Sequence, residues 1–419
     1  TAIGYAALGS LTTGTANTAV GHQAGNSVVD SSHTTAVGYN ALVNSTGASN
    51  TAIGSRSLDA NTTGAANTAV GVDCLGGNTS GNNNTALGSN ALKTNTTGEK
   101  NIAIGRSALF ASTTASNNVA IGDEALKSNT TGHRNVAIGA RAAELNTTGS
   151  SNVAIGYEVL EDNTTGSRNI AIGDSCMELN TEGNDNVAVG HDSLQDNTTG
   201  GSNIAIGSYS LDANTTGNNN LGIGNSALGA NTTANNNTAV GVVALQNNTT
   251  GTSNTAVGMD SLRANTTASY NTAVGGDALT ANTTGTRNTA VGNFALDSNT
   301  TDNDNTAVGY AALTSITTAN ESTAVGSEAG FANTTGDRLT AVGYYAGRAN
   351  TTGVFNTCVG AYALPENTNG QKNVAMGRNA LRYNTSGSNN TALGEQSIST
   401  NTTGGNNSAI GHYALFANT

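Results

Sequence analysis

Asn-Thr-Thr recurs along this chain, and each copy is formally an acceptor for N-glycosylation. Among the copies are those that begin at Asn61, Asn95, Asn129, Asn146, Asn163, Asn197, Asn214, Asn265, Asn282, Asn350 and Asn401. A row of glycans on these asparagines would shield a fibre from proteases. The same letters, usually followed by Gly, are also turn chemistry, because an Asn side chain can cap its own backbone two residues on and Gly accepts positive φ. Asn180-Thr181-Glu182 and Asn367-Thr368-Asn369 keep the turn and lose the acceptor, which favours the turn reading.

Other chemistry is thinner. The five histidines (His22, His33, His133, His191, His412) are dispersed, and none has a carboxylate at a fixed spacing. Acidic residues group only around Asp123-Glu124 and Glu158-Glu161-Asp162, where a solvated charged rim is expected rather than a hydrolase pair. No His/Cys ligand spacing or Gly-Gly-x-Gly-x-Asp calcium repeat occurs, so no metal, no cofactor and no enzymatic activity are expected. Cys74, Cys176 and Cys358 replace alanines and read as small buried residues. Paired threonines invite an ice-binding reading through ordered hydroxyls, but neighbouring residues of a strand point to opposite faces, leaving the array one Thr wide. Tyr5, Tyr39, Tyr157, Tyr310 and Tyr344 could contact sugar, yet their scatter reads as surface decoration.

The frame carrying these residues is a repeat. Thr/Val/Ile-Ala-aliphatic-Gly returns 25 times over 419 residues, every 17 residues except for one spacing of 16 between Thr35 and Thr51. Numbering each unit from that signature gives T/V/I-A-V/I-G-x-x-A-L-x-x-N-T-T-G-x-x-N. Composition agrees with such a scaffold: 54 Gly, one Pro, no Trp and 10% charged residues suit neither a helical protein nor a solvated disordered chain. A net charge of -12, spread thinly, argues against nucleic-acid partners. No run approaches the roughly 18 apolar residues of a membrane span, so no membrane insertion is expected.

Charges fall at positions 5, 6, 9, 10, 15 and 16, with Asp30, Glu182 and Asp302 the exceptions in the turn. Such regularity means buried and solvated positions repeat unit by unit. Strand and turn propensities dominate, so the fold class is all-β: one parallel β-solenoid array over 1–419, each unit one coil, with a rod on the order of 120 Å expected at strand spacing. Stacking places like residues over one another, predicting amide ladders at position 11 (Asn129, Asn146, Asn163) and position 17 (Asn135, Asn152, Asn169). Gly at position 4 (Gly105, Gly122, Gly139, Gly156) is predicted to make a structural turn that a Cβ would forbid.

The aliphatic residues at positions 1, 3 and 8 are expected to fill the coil, which makes a thin core against roughly 1–2 kcal/mol of backbone entropy per residue. Position 2 then faces outward, and its small Ala (Ala103, Ala120, Ala137, Ala154, Ala171, Ala188, Ala205) is predicted to pack on another chain. The chain starts at position 1 and stops at position 12 without polar caps, so the repeat is expected to continue past both ends or to join end to end.

The segments NVAIG (135–139, 152–156) and NTAVG (254–258, 305–309) resemble the Asn-Ser-Val-Ala-Ile-Gly signature of trimeric autotransporter adhesin heads. The whole unit NTAVGVVALQNNTTGTS is similar to repeats of phage tail-fibre and related surface proteins carrying an endosialidase-type chaperone. The resemblance covers essentially the whole chain and implies a homotrimer of left-handed parallel β-rolls, with Val136 and Ile138 in the core, Ala137 toward the trimer axis and Gly139 in the tight turn. It departs in its period, longer than that of typical adhesin heads. The expected function is the shaft or head of an extracellular adhesive fibre on a virion or cell surface, presenting a tip to a host glycan or protein. The alternatives are a bacterial cell-surface adhesin or glycosylated filament and, behind these, an ice-binding solenoid.

Overall fold

The computed structural model describes residues 1–417 and contains strands and turns but, among these residues, no helix. It is a parallel β-solenoid with one short strand per coil, from β1 (Ala2–Ile3) to β25 (Ser408–Ile410). Two units divide it. Thr1–Thr216 holds β1 to β13 (Ile204–Ile206), and the unit from Gly217 holds β14 (Leu221–Ile223) to β25.

Within each unit the stacking has no stagger. In β9 (Val136–Ile138) and β10 (Val153–Ile155), Val153 pairs with Val136, Ala154 with Ala137 and Ile155 with Ile138. The 16-residue coil keeps the same register, Thr35 on Thr51, because its missing residue is the second Thr of the turn. Between strands, further backbone bonds tie coil to coil, as when Arg141 N–H donates to the Asp123 carbonyl at 2.9 Å and Leu160 N–H to the Cys176 carbonyl at 3.0 Å.

Closing so small a coil demands left-handed backbone. Gly139 has φ 137°, and a Cβ there would overlap the Gly156 carbonyl of the next coil. Positions 6, 8 and 16 are also left-handed without being glycine: Arg141 has φ 56°, Ala143 51° and Ser151 61°. Each such residue costs about 1–2 kcal/mol for an L side chain, so the coil holds only because its neighbours impose the conformation. Where glycine does occupy position 8, at Gly25, Gly330 and Gly347, φ stays in the same region, at 57–60°.

The interior differs from the sequence expectation. Ala103, Ala120, Ala137, Ala154, Ala171, Ala188 and Ala205 are no more than 1% exposed in a single chain, so they point into their own coil and cannot meet a partner. Positions 2 and 8 face each other across the lumen: a Cβ at Gly347 would lie 3.4 Å from Cys358 Sγ and 3.6 Å from Ala341 Cβ. Alternation along a three-residue strand then sends positions 1 and 3 outward, and Val136 and Ile138 are half-exposed or exposed. The lumen is filled by Leu at position 8, by small residues at 2 and 7, and by the two asparagines. No space remains for a larger strand residue.

Both amide ladders form. At position 11, Asn146 Nδ2 donates to Asn129 Oδ1 at 2.8 Å and to the Gly149 carbonyl at 3.1 Å. At position 17, Asn152 N–H donates to Asn135 Oδ1 at 2.9 Å, and Asn135 Nδ2 to the Gly149 carbonyl at 2.9 Å. Ser112 interrupts the first ladder: Asn95 Oδ1 and Ser112 Oγ are buried without a hydrogen-bond partner. Ile316 does the same below Asn299, whose Oδ1 is also unpartnered. Substituting Ser112→Asn should rejoin Asn95 to Asn129 and stabilise the chain by about 1–2 kcal/mol, the worth of satisfying a buried carbonyl. Urea denaturation of the two proteins measures it, and a loss of stability would show that the ladder does not carry this energy.

A second irregularity has a pH signature. Asp302 takes the turn position usually held by Gly or Ala, is 5% exposed, and leaves Oδ2 without a partner. Burial, helped by the nearby Asp337 carboxylate, pushes its carboxyl from 3.8 up to about 6. The folded chain therefore binds this proton more tightly than the unfolded one, and the stability it contributes is lost as pH rises from about 4 to about 6. Asp302→Ala, copying Ala319 of the next coil, should raise the melting temperature at neutral pH and raise it less below the ordinary aspartate value. Equal gains at both pH values would exclude this account.

Candidate functional surfaces

The interior is closed to chemistry, so whatever this protein does lies on its outer columns. The asparagines read as acceptors, Asn61, Asn95, Asn129, Asn146, Asn163, Asn197, Asn214, Asn265, Asn282, Asn350 and Asn401, are all 0% exposed. Their Nδ2 atoms face the lumen: Asn61 donates to Ser45 Oγ at 2.8 Å and Asn350 to Asn333 Oδ1 at 2.9 Å. The atom a glycosyl transfer would modify is thus the one that holds neighbouring coils together. In the folded chain these asparagines are therefore internal braces and not exposed acceptors. Incubated in its folded state with an oligosaccharyltransferase and a lipid-linked donor, the chain should remain at 41.5 kDa by mass spectrometry. A glycan on Asn129 would show that the turn opens.

The threonines divide by position. Thr130 and Thr147, first of each pair, turn their hydroxyls along the stack, Thr130 Oγ1 donating to the Thr147 carbonyl at 3.0 Å and Thr147 Oγ1 to that of Thr164 at 2.8 Å. The second threonines, such as Thr131 and Thr148, are exposed. Only one hydroxyl per coil is therefore free to order water on this edge.

Charged residues meet their counterparts one coil away. Arg168 grips Asp185 at 2.6 Å, and Arg287 grips Asp304 at 2.6 Å, both on the position-16 column. Each pairing holds the aspartate below its ordinary value through the hydrogen bonds from the guanidinium. Exposed pairs of this kind are screened by solvent and add little to stability. Of the sequence grouping Glu158-Glu161-Asp162, the first two meet Glu178 of the next coil instead of Asp162, with oxygens within 4.8 Å of one another. Arg141 already answers this cluster, bonding Glu158 and lying 3.3 Å from Glu161. Burial raises the Glu161 pKa first, and Arg141 opposes it.

The histidines stay apart from these acids except for His191, 2.9 Å from Asp192, and His412, 4.0 Å from Glu395. His133 serves the backbone: its Nδ1 accepts from Ser116 N–H at 2.9 Å. Cys74, Cys176 and Cys358 are buried, and burial pushes each thiol up to about 12, which leaves them unreactive. No described helix is long and apolar enough to cross a membrane.

What the sequence reading missed is the outward sheet face. From β7 (Ile102–Ile104) to β13, seven successive strands each present two Val or Ile side chains. Ile102, Ile138, Ile155, Ile170, Ile172, Ile204 and Ile206 are 36–40% exposed. The fold and these surfaces define the chain as a parallel β-solenoid of 17-residue coils. No protein-family model matches it, and comparison with curated proteins finds no match.

Proposed function

We propose that this chain is the structural shaft or head of an extracellular trimeric adhesive fibre of the phage tail-fibre kind, which extends and presents a surface-binding tip. The observation that carries this reading is the aliphatic face of β7–β13. Fourteen Val and Ile side chains in register form a strip longer than a soluble monomer ordinarily leaves in water. At about 4.8 Å spacing these seven strands carry the face for roughly 30 Å, and the strands before β7 extend it with one aliphatic side chain and one Thr each.

The partner that fits is a second and third copy. The strip keeps one register from strand to strand and is only two side chains wide, so an identical strip running parallel would meet it coil by coil. Three such narrow faces can converge on one axis with each aliphatic side chain reaching the others. This places Val136 and Ile138, not Ala137, at the interface. Catalysis has no part in the proposal: the asparagines, the first threonines and most basic side chains are engaged in joining coil to coil.

Light scattering on the purified chain should give three times 41.5 kDa. Replacing Val136, Ile138, Val153 and Ile155 by Lys should release monomers whose far-UV circular dichroism is unchanged, since these side chains leave the lumen intact. A wild-type mass of one chain, or variants that still assemble, would sink the trimer.

A further inference from the structure

The chain has 11 Tyr and 5 Phe, and six of these 16 rings lie between Phe331 and Tyr383, in the unit from Gly217. The same stretch carries Arg338, Arg348, Lys372, Arg378 and Arg382 against only Asp337 and Glu366, a local basic excess in a chain of net charge -12. About four coils of this unit thus hold six of the chain's 16 rings and four of its 11 arginines.

We infer that Tyr362, Tyr383 and Arg382 form a binding platform for a pyranose bearing one carboxylate, as in an acidic glycan. The inference deepens the adhesive reading, on which it rests for its biological role. Three tyrosines make a rigid floor: Tyr344 and Tyr345 stack at 4.0 Å, and Tyr362 stands edge-on to them at 5.4 and 5.5 Å. Arg348 is already engaged, 2.7 Å from Glu328 and 4.7 Å over the Tyr345 ring. Arg382 is not. Its guanidinium lies 5.8 Å from the Tyr362 centroid and 5.3 Å from that of Tyr383, held by one hydrogen bond to Asn379 Oδ1 at 3.2 Å. Among the described residues no carboxylate pairs with it.

A guanidinium braced between rings, with donors unused, is preorganised for a bidentate carboxylate. Tyr383 is 47% exposed, and a ring face carries negative potential that attracts the weakly positive C–H groups of a sugar. The acidic chain as a whole repels densely charged polyanions, which selects a glycan with isolated carboxylates over nucleic acid.

The full chain is titrated with trigalacturonate and with its neutral methyl ester, following tyrosine fluorescence, which is free of Trp background. Expected are saturable binding of the acid and at least about tenfold weaker binding of the ester, with the same loss for R382Q and a smaller one for Y383A. Both variants alter side chains outside the lumen and should melt with wild type. No saturation by the acid, equal affinity for acid and ester, unchanged binding by R382Q, or stronger binding of a single-stranded oligonucleotide would overturn the site. Light scattering on the same samples keeps the two readings apart: a trimer that ignores the sugar removes the platform and leaves the fibre.

Discussion

Within each unit every coil lies directly on an equivalent coil, and that unstaggered stacking decides what each position can hold. A residue in such a column has its own kind above and below it. Asparagine suits this arrangement because its amide both donates and accepts, so Asn129, Asn146 and Asn163 satisfy one another along the stack. Threonine suits it by donating to the backbone of the next coil. Charge suits it only where signs alternate, as with Arg168 on Asp185 and Arg106 on Asp123, and where Glu161 and Glu178 stack like on like, Arg141 has to answer them. Places where a column changes residue, such as Ser112 and Ile316, are where buried oxygens are left bare.

The second constraint is the width of the lumen. Seventeen residues that turn back on themselves leave room for one Leu, two small side chains and two amides. Three left-handed residues per coil in addition to the glycine are what it takes to bend the chain that tightly, and no isolated coil would adopt them. Stability is therefore a property of the stack: each coil's strained backbone is held by hydrogen bonds to its neighbours, as in other solenoids.

Those two constraints consume most of the polar chemistry and leave a short inventory for function. The asparagines that look like glycan acceptors are internal braces. The aliphatic pair of each strand from β7 to β13, which a globular protein would bury, is turned outward by the narrow lumen. Positions 5, 6, 9 and 10 accept the most varied side chains, and it is there that Tyr362, Arg382 and Tyr383 meet.

The period, the parallel β-solenoid, the solvated columns and the two amide ladders are legible in the sequence, because they follow from repetition: any residue kept every seventeen letters must tolerate its own copy beside it. Which way the strand faces was not legible from hydrophobicity, since both faces are apolar. The signal lay in size. Position 2 is Ala in all but two coils, Gly222 and Cys358 replacing it, whereas position 1 accepts Thr, Val, Ile, Leu or Ser. A wall inside a narrow tube restricts volume, and an outer face does not. Three further features belong to the tertiary structure alone: the left-handed backbone at non-glycine residues, the burial of Asn129 and its equivalents, and the meeting of Tyr344, Tyr345, Tyr362 and Arg382. Each depends on how closely one coil approaches the next, a distance that is set by the stack and is written in no single repeat.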